Sequence, residues 1–287
     1  MSYRYQDAEA LSEISFSVNA GERVALLGAN GSGKSTLLQM LDGLIFPSSG
    51  SIRAFGEDLT EEALHDEGFS QAFRQQVGFV FQNSDAQLFS PNVWEEIAFG
   101  PLHLGLPDEE VKKRTQDMLH ILGLEHLRER PPYHLSGGEK KKVALASVLA
   151  INPDVLLFDE PTAGLDPKTE TFLVRLIMQL SQAGKTIVTA TQDLRLVEEI
   201  AERVIILGED HHLAGEGAPA AVLGARTLLL SANLIHDHPP LTDGSAHFPP
   251  HHHPHAPPDP QHAKGVVTSH HPTPPPRRRS PPAPPRS

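Results

Sequence analysis

Short apolar runs alternate with helical patterns along the first 235 residues of the chain. Five runs have the length and apolar content of strands buried on both faces, and they lie at residues 23–27, 78–81, 155–158, 186–190 and 204–207. Helical patterns lie at residues 34–42, 111–122, 139–149, 167–182 and 194–202. This alternation predicts an α/β fold built on a mostly parallel sheet.

One long stretch, from Asn83 to about Asn152, is predominantly helical and lies between two of the predicted strands. We interpret it as an α-helical subdomain, about residues 83–152, that is inserted into the sheet domain.

The composition changes abruptly near His236. Residues 236–287 hold 16 of the 26 prolines and 10 of the 17 histidines, with almost no large apolar side chains. Such a segment cannot offset the entropy that folding removes. We therefore predict one folded domain over residues 1–235 and a disordered His/Pro-rich tail with extended polyproline character over residues 236–287.

Composition also excludes several classes of site and partner. The chain has no cysteine, which excludes disulfides, thiolate zinc sites, iron–sulfur clusters and a cysteine nucleophile. The formal net charge of −12 argues against nucleic acid or anionic lipid as the main partner, because both need a basic face. Apolar runs of about four residues fall far short of the roughly 20 needed to cross a bilayer. No signal segment opens the chain, so we expect a cytoplasmic protein.

A glycine-rich segment between the first predicted strand and a helix matches the pattern G-x-x-x-x-G-K-[ST] in full. Its glycines let backbone N–H groups approach phosphate oxygens, and the following helix offers its positive N-terminus. Lys34 is expected to reach the β- and γ-phosphates, and the Ser35 hydroxyl to ligate Mg²⁺. The alternative is an ordinary glycine turn. The expected nucleotide contacts are Gly28, Ala29, Asn30, Gly31, Ser32, Gly33, Lys34, Ser35 and Thr36.

A second motif agrees with the first. The predicted strand at residues 155–158 ends in Asp159 and Glu160. Beside a phosphate loop, such a strand would place Asp159 near Mg²⁺ and Glu160 near the attacking water. Asp159 alone could simply cap the next turn, but the paired motifs predict a Mg²⁺-dependent nucleoside triphosphatase with an α/β P-loop NTPase (RecA-like) core.

A third motif, Leu135-Ser136-Gly137-Gly138-Glu139, lies between the other two and opens a helix. By itself it could be only a helix cap. With all three motifs in this order, the chain resembles the ATP-binding subunits of ABC transporters over about residues 3–225. In that family the S-G-G element completes the nucleotide site of the opposite subunit, so the resemblance implies that Ser136, Gly137 and Gly138 bind the γ-phosphate in trans.

The resemblance implies further roles, each with a plainer structural alternative. Gln82 matches the loop glutamine that senses Mg²⁺ and the membrane partner, and Tyr5 matches the aromatic residue that stacks on adenine. Asp166, in Ala163-Gly164-Leu165-Asp166, matches the loop that crosses the dimer interface. Glu160 matches the general base that polarises the hydrolytic water.

Two departures from the family pattern stand out. Gln192 occupies the position of the usual γ-phosphate histidine; its amide can donate a hydrogen bond but cannot become cationic, so we expect reduced activity and not its loss. The chain also lacks the full strand that usually precedes Tyr5, which means either that the true start lies upstream or that this edge strand is shortened.

Two further segments, Gln82–Phe89 and Val93–Pro101, look like the ATPases of energy-coupling-factor importers, which take up vitamins and transition-metal ions. In such ATPases this segment lies beneath the transmembrane coupling subunit. Trp94 and Phe89 could instead be simple core residues of the helical subdomain.

The histidines of the tail narrow the expected substrate. Imidazole suits Ni²⁺, Co²⁺, Zn²⁺ and Cu²⁺, and prolines keep such a segment extended and accessible. The candidate nickel or cobalt ligands are His251, His252, His253 and His255. A low-complexity linker is the plainer interpretation.

The leading hypothesis is an ATPase at the cytoplasmic face of the cell membrane that energises import of cobalt or nickel. ATP and Mg²⁺ are its expected cofactors, and integral membrane coupling and substrate-binding subunits are its expected partners. A homodimer is favoured because both half-sites look intact, and no nucleic acid is expected. The alternatives are a vitamin-importing energy-coupling ATPase, or a soluble ABC ATPase with a metal-storage tail.

Overall fold

The computed structural model describes residues 1–6 and 8–236. The tail predicted over residues 236–287 therefore lies outside the described residues, apart from His236. The strands of the described part are β1 (Tyr3–Tyr5), β2 (Ala8–Leu11), β3 (Arg23–Gly28), β4 (Arg53–Ala54), β5 (Glu57–Asp58), β6 (Val77–Val80), β7 (Val155–Asp159), β8 (Thr186–Thr191), β9 (Arg203–Leu207) and β10 (Leu213–Gly217).

Six of these strands form the central sheet, in the order β10-β9-β3-β8-β7-β6. The five strands from β9 to β6 run parallel, and β10 is antiparallel to β9, so the sheet is mixed. The parallel strands are the five predicted from the apolar runs, with small differences at their ends. The predicted α/β core with a parallel or mixed sheet is confirmed.

The register brings several chain segments to one edge of the sheet. Gly28 at the end of β3 pairs with Leu207 at the end of β9. On the other side of β3, Leu27 pairs with Thr191, the last residue of β8. Asp159, which ends β7, pairs with Ala190. The loops after β3, β7, β8 and β9 therefore start side by side, which is where ligands bind in open α/β sheets.

The helices of the described residues are α1 (Lys34–Leu41), α2 (Glu61–His65), α3 (Glu67–Gln76), α4 (Val93–His103), α5 (Asp108–Leu122), α6 (Gly137–Leu149), α7 (Pro167–Gln182), α8 (Leu194–Ile200), α9 (Pro219–Gly224) and α10 (Arg226–Ser231). Three short 3₁₀ turns lie at Ser84–Ala86, Glu125–Leu127 and Pro132–His134. Within residues 1–6 and 8–236, no helix combines the length and apolar content that a membrane crossing requires.

Helices cover both faces of the sheet, and β7 shows how the sequence achieves this. Its alternate side chains enter opposite cores: Leu157 packs with α1 and α3, whereas Leu156 and Phe158 pack with α6 and α7. Burial on both faces explains why these strands are apolar without interruption. A third cluster packs α8, α9 and α10 against β9 and includes Val197, Val204 and Val222.

Helices α4, α5 and α6 fill the stretch that the sequence marks as a helical subdomain. Ile97, Leu119 and Val143, one from each helix, are fully buried against one another. The same apolar cluster continues to Phe158 in the sheet. This packing holds α6 against the sheet edge where Asp159 lies.

A two-stranded antiparallel ribbon, β1 with β2, precedes the sheet. The strand that carries Tyr5 is only three residues long. At its start, the amino group of Met1 donates a hydrogen bond to the carbonyl oxygen of Ile14, at 2.8 Å. The ribbon places Tyr5 near the start of α1, because its hydroxyl lies 3.5 Å from the Thr36 Oγ1 atom.

Candidate functional site

The loop from Gly28 to Ser35, here called the phosphate loop, joins the end of β3 to the start of α1. Gly31 and Gly33 have positive φ angles of 86° and 102°, a region in which glycine avoids the strain of a Cβ atom. A Cβ at Gly33 would lie 2.3 Å from the carbonyl oxygen of Ala10. The glycine is therefore required both by the turn and by the close approach of strand β2.

Lys34, the first residue of α1, is buried beside this loop. Its ammonium group donates to the carbonyl oxygens of Gly28 (2.8 Å) and Ala29 (3.1 Å). The same Nζ atom lies 3.5 Å from the Oε1 atom of Glu160. The loop thus holds a positive charge against its own backbone, close to a carboxylate.

Asp159 and Glu160 lie at the end of β7, where the sequence placed them. Asp159 is buried, and burial raises the pKa of its carboxyl, although a hydrogen bond with Ser35 and the charges of Lys34 and Lys141 lower it. Glu160 has a positive φ of 40°, and its Oε2 atom accepts a hydrogen bond from the Thr191 hydroxyl at 3.2 Å. The two carboxylates therefore have different hydrogen-bond partners, Ser35 for Asp159 and Thr191 for Glu160.

The same two residues carry oxygen atoms without hydrogen-bond partners among the described residues. Both Asp159 Oδ1 and Glu160 Oε1 are buried in this way. Buried carboxylate oxygens of this kind usually have a partner. Together with the Ser35 hydroxyl they provide hard oxygen donors next to the phosphate loop, which is the chemistry that Mg²⁺ prefers. The residues present therefore fit a Mg²⁺ ion beside bound phosphates.

A cavity of about 370 Å³, here called the phosphate-loop cavity, opens over this loop. It contains predicted residues from four parts of the chain: Tyr5, several residues of the phosphate loop with the adjoining Thr36, Gln82, and Glu160. The Tyr5 side chain is 46% exposed, and its hydroxyl lies 3.4 Å from Gln39 Oε1. The ring is thus available on the rim of the cavity.

Three residues of the cavity wall were missed by sequence reasoning, namely Glu9, Ala10 and His211. Glu9 and Ala10 belong to β2, and His211 lies in the turn between β9 and β10. None of them is part of a local motif. His211 reaches the cavity through the pairing of β9 with β3, which are distant in sequence, whereas Glu9 and Ala10 reach it through the short β1–β2 ribbon that packs on the phosphate loop. The chain itself offered no signal for either arrangement.

The signature segment, Ser136–Gly138, lies at the start of α6 and outside the lining of the phosphate-loop cavity. Ser136 and Glu139 form a reciprocal capping box, in which each side chain accepts a hydrogen bond from the backbone N–H of the other residue. Asp166 caps α7 nearby, because its Oδ1 atom accepts from the backbone N–H groups of Lys168 (3.0 Å) and Thr169 (3.1 Å). The signature segment and Asp166 therefore lie near each other and outside the phosphate-loop cavity of the same chain.

Gln82 belongs to two clefts at once. It lines the phosphate-loop cavity and also a smaller cleft of about 150 Å³ that includes Gly137 and Gly164. The backbone at Gln82 is held by Lys141, whose Nζ donates to the carbonyl oxygens of Phe81 (2.9 Å) and Gln82 (3.3 Å). Burial lowers the pKa of Lys141 to about 8, although the charge of Asp159 opposes this.

Lys141 was also missed by sequence reasoning. It is the middle one of three consecutive lysines, residues 140–142, and nothing local distinguished it from its two neighbours.

Gln192 directly follows β8 and is exposed. It is not among the residues that line the phosphate-loop cavity in the described part of the chain. Its neighbour Thr191 is the residue that contacts Glu160.

Comparison with known proteins identifies the family. Residues 11–163, more than half of the chain, match the family described as ABC transporter. The chain belongs to the ABC transporter family. It is 47% identical over 247 residues to the nickel import ATP-binding protein NikO of Rhodobacter capsulatus, a match that covers 85% of this chain and 95% of that protein.

Two other ABC proteins are similar. The energy-coupling factor transporter ATP-binding protein EcfA of Methanothermobacter thermautotrophicus is 43% identical over 237 residues, which is 82% of this chain and 74% of that protein. The chain also resembles a solved ATP-binding cassette, which is a dimer in a post-hydrolysis state bound to ADP and Pi. The two superpose with a TM-score of 0.67 at 30% sequence identity, over 76% of this chain and 95% of that one. The present ABC protein is accordingly an ATPase that binds ATP with Mg²⁺.

Proposed function

We propose that this ABC ATPase energises import of nickel or cobalt as the ATP-hydrolysing subunit of an energy-coupling-factor transporter. One observation carries the proposal. The short segment Phe81–Phe89 has Gln82, a residue of the phosphate-loop cavity, near one end and the exposed aromatic side chain of Phe89 at the other end. The similarity to NikO and EcfA supports the choice of transporter and substrate.

Within the ATPase site, each residue has a distinct task. The phosphate loop binds the phosphates through its N–H groups, and Lys34 exchanges its contacts with Gly28 and Ala29 for phosphate oxygens. Ser35 and Asp159 would hold Mg²⁺, which neutralises phosphate charge when it is bound, and Gln82 is the remaining candidate ligand. Glu160 is oriented by Thr191 and accepts a proton from the attacking water.

The other half of a complete site comes from a second copy of the chain. In one chain the signature segment is not among the residues that line the phosphate-loop cavity. The N-terminus of α6, where the signature segment lies, carries the positive end of the helix dipole, which suits an anion. We infer a head-to-tail homodimer in which the signature segment of each copy binds the other copy's γ-phosphate, with Asp166 at the interface and Gln192 as an additional amide donor.

A groove of about 550 Å³ lies between α3 and α4 and is lined by residues that include Arg74, Phe99 and His103. At its edge, Phe89 is 66% exposed and packs edge-to-face on Phe99, whose ring lies 3.8 Å from that of His103. We call Phe89, Phe99 and His103 the aromatic surface. Exposed apolar groups of this kind suit a protein partner.

Buried Glu96 holds this surface in place. Its carboxylate accepts hydrogen bonds from the backbone N–H groups of Phe89 (2.9 Å) and Ser90 (2.7 Å). These two hydrogen bonds fix the backbone at the Phe89 end of the segment that carries Gln82. The aromatic surface is our proposed contact with the integral membrane coupling subunit, which would retain the ATPase at the cytoplasmic face of the membrane as a peripheral protein.

The tail supplies the proposed metal contact. His251, His252, His253 and His255 lie outside the described residues, and their assignment rests on imidazole chemistry alone. They would bind the transported Ni²⁺ or Co²⁺ as cargo.

Metal accumulation in cells tests the transport function. In cells that lack the native gene, we expect the wild-type chain to restore nickel or cobalt content, measured by mass spectrometry, and Glu160→Gln to fail. Glu198→Gln, which changes an exposed carboxylate on α8, should behave as wild type. Unchanged metal content with altered uptake of a vitamin would instead favour the vitamin importer.

The same variants test the site in purified protein. Glu160→Gln should bind ATP, turn over at a rate lower by about 10²–10⁴-fold, and accumulate as a dimer in size-exclusion chromatography. Normal turnover would remove Glu160 from its role. In calorimetric titrations of the full chain with Ni²⁺ and Co²⁺, replacing the four tail histidines by asparagine should weaken binding several-fold, whereas His120→Asn with His126→Asn should not.

If the tail variant loses metal binding while cellular uptake is unchanged, the tail serves storage and not delivery.

A further inference from the structure

The turn between β9 and β10 contributes one side chain to the phosphate-loop cavity, that of His211. This residue is not part of any of the three nucleotide motifs. Its backbone has a positive φ of 64°, a conformation that a Cβ atom disfavours. The chain thus places an imidazole where glycine would fit with less strain.

Two backbone hydrogen bonds fix this conformation. The N–H of Ser12, just after β2, donates to the carbonyl oxygen of His211 at 2.9 Å. The N–H of His211 donates to the carbonyl oxygen of Gly208 at 3.1 Å. Because both ends of the peptide are held, the imidazole is presented to the cavity by a rigid turn.

One ring nitrogen of this imidazole has no hydrogen-bond partner in the part of the chain that the structure describes. Its Nδ1 atom is buried and has no hydrogen-bond partner among the described residues. The adjacent His212 differs, because its Nδ1 lies 2.8 Å from the carbonyl oxygen of Asp210 in the same turn. A buried ring nitrogen without a partner is costly unless a ligand or water provides one.

Sheet order shows which part of a nucleotide His211 would face. Strand β9 adjoins β3 on one side, whereas β8 and β7 lie on the other. Asp159 ends β7 and Glu160 follows it, and in the proposed site these two residues flank the reacting γ-phosphate. His211 follows β9 and therefore lies on the opposite flank of the phosphate loop, away from the bond that is broken.

We propose that His211 is a nucleotide-binding residue, whose imidazole N–H donates a hydrogen bond to the ribose–phosphate part that ATP and ADP share. A donor in this position strengthens binding of both nucleotides without discriminating between them. Glu9, Lys34 and Glu160 are the charged side chains that share the cavity wall with it.

Calorimetric titration of the full chain with ATP and with ADP, both without Mg²⁺ so that hydrolysis does not interfere, tests this inference. His211→Gly should weaken the binding of both nucleotides by about five- to tenfold, which is the size of one hydrogen bond. Its thermal midpoint should stay equal or rise, because glycine relieves the positive φ. His212→Asn is the matched control in the same turn and should keep wild-type affinity.

Three results would overturn the inference. They are unchanged affinity of His211→Gly for both nucleotides, a loss confined to ATP, and an equal loss in His212→Asn. The second would place the contact at the γ-phosphate, and the third would show a general effect of the turn. Because the readout is nucleotide affinity, none of these results bears on the transported substrate.

Discussion

Asp42 is a buried carboxylate at the C-terminal cap of α1, and we expect Asp42→Asn to stabilise the protein above neutral pH. Burial raises the pKa of Asp42 to about 7, even though the charge of Arg74 lowers it. Arg74 Nη1 lies 3.5 Å from the carboxylate and also donates to the Asp42 carbonyl oxygen at 2.8 Å. A negative charge at a helix C-terminus is further disfavoured by the helix dipole.

The magnitude follows from the pKa difference between the folded and unfolded chains. A rise from 3.8 to about 7 corresponds to at most about 4 kcal/mol, at about 1.4 kcal/mol per pH unit. Relaxation around the ionised group reduces this, so we expect a gain of about 1–3 kcal/mol for the neutral asparagine. Arg74 keeps its backbone contact in the variant, and its side chain is 40% exposed, so it is not left as a buried lone charge.

The sign of the pH dependence is fixed by proton binding. Between about pH 4 and 7 the folded chain holds the Asp42 proton and the unfolded chain does not, so the contribution of Asp42 to stability falls as pH rises through this window. Above about 7 the contribution levels off. Asp42→Asn should therefore gain most at pH 8 and about a third as much at pH 5, because pH 5 lies about 1.2 units into a window of about 3.2 units.

Urea unfolding at pH 5 and pH 8 measures both effects. Asp58→Asn is the matched control, because Asp58 pairs with Arg53 at 3.6 Å while both side chains are 69% exposed. Its stability should change by less than about 0.5 kcal/mol at either pH. If Asp42→Asn is less stable than wild type at pH 8, the ion pair with Arg74 outweighs burial and the reasoning fails.

Two substitutions test the packing around the site. Gly33→Ala should destabilise the fold by about 3 kcal/mol or more in urea unfolding, because its Cβ would meet the Ala10 carbonyl oxygen. Gly31→Ala is the control and should cost about 1 kcal/mol, because φ is 86° there but nothing in the described part of the chain lies within 4 Å of the added Cβ. Equal costs for the two substitutions would show that the contact with Ala10 does not matter. Glu96→Gln should weaken the hydrogen bonds that hold the backbone of Phe89 by about 1–2 kcal/mol, so chymotrypsin should cleave faster after Phe89. Glu95→Gln is the control and should be cleaved at the wild-type rate. Equal cleavage rates for the two variants would contradict this role of Glu96.

The strands that could be predicted are those buried on both faces, since their apolar runs are continuous. Strand β10 was missed because Leu213–Gly217 lies at the sheet edge, contains two glycines and alternates between partly buried and exposed positions. The β4–β5 hairpin, with two residues in each strand, is too short to show any period. Edge elements depend on pairing partners that a local pattern does not contain.

The site residues show the same difference between local patterns and long-range pairing. Lys34, Ser35 and Asp159 could be assigned because each sits in a contiguous motif whose chemistry depends on local spacing. His211 could not, because it reaches the phosphate-loop cavity only through the turn after β9, which pairs with β3. Lys141 needed the packing of α6 against the segment after β6 before its contacts could be known.

The contacts of Lys141 connect the segment that follows β6 to helix α6. The segment after β6 is held to α6 at two points: Lys141 donates to the Phe81 carbonyl at 2.9 Å, and Lys140 contacts Asp85 at 2.5 Å. Within the segment, Phe81 N–H donates to the side chain of Gln87 at 3.1 Å. Since α6 begins at the signature segment, these contacts join the segment that carries Gln82 and Phe89 to the helix that carries the signature segment. We expect Gln82 to move with α6 if the proposed membrane contact shifts this segment.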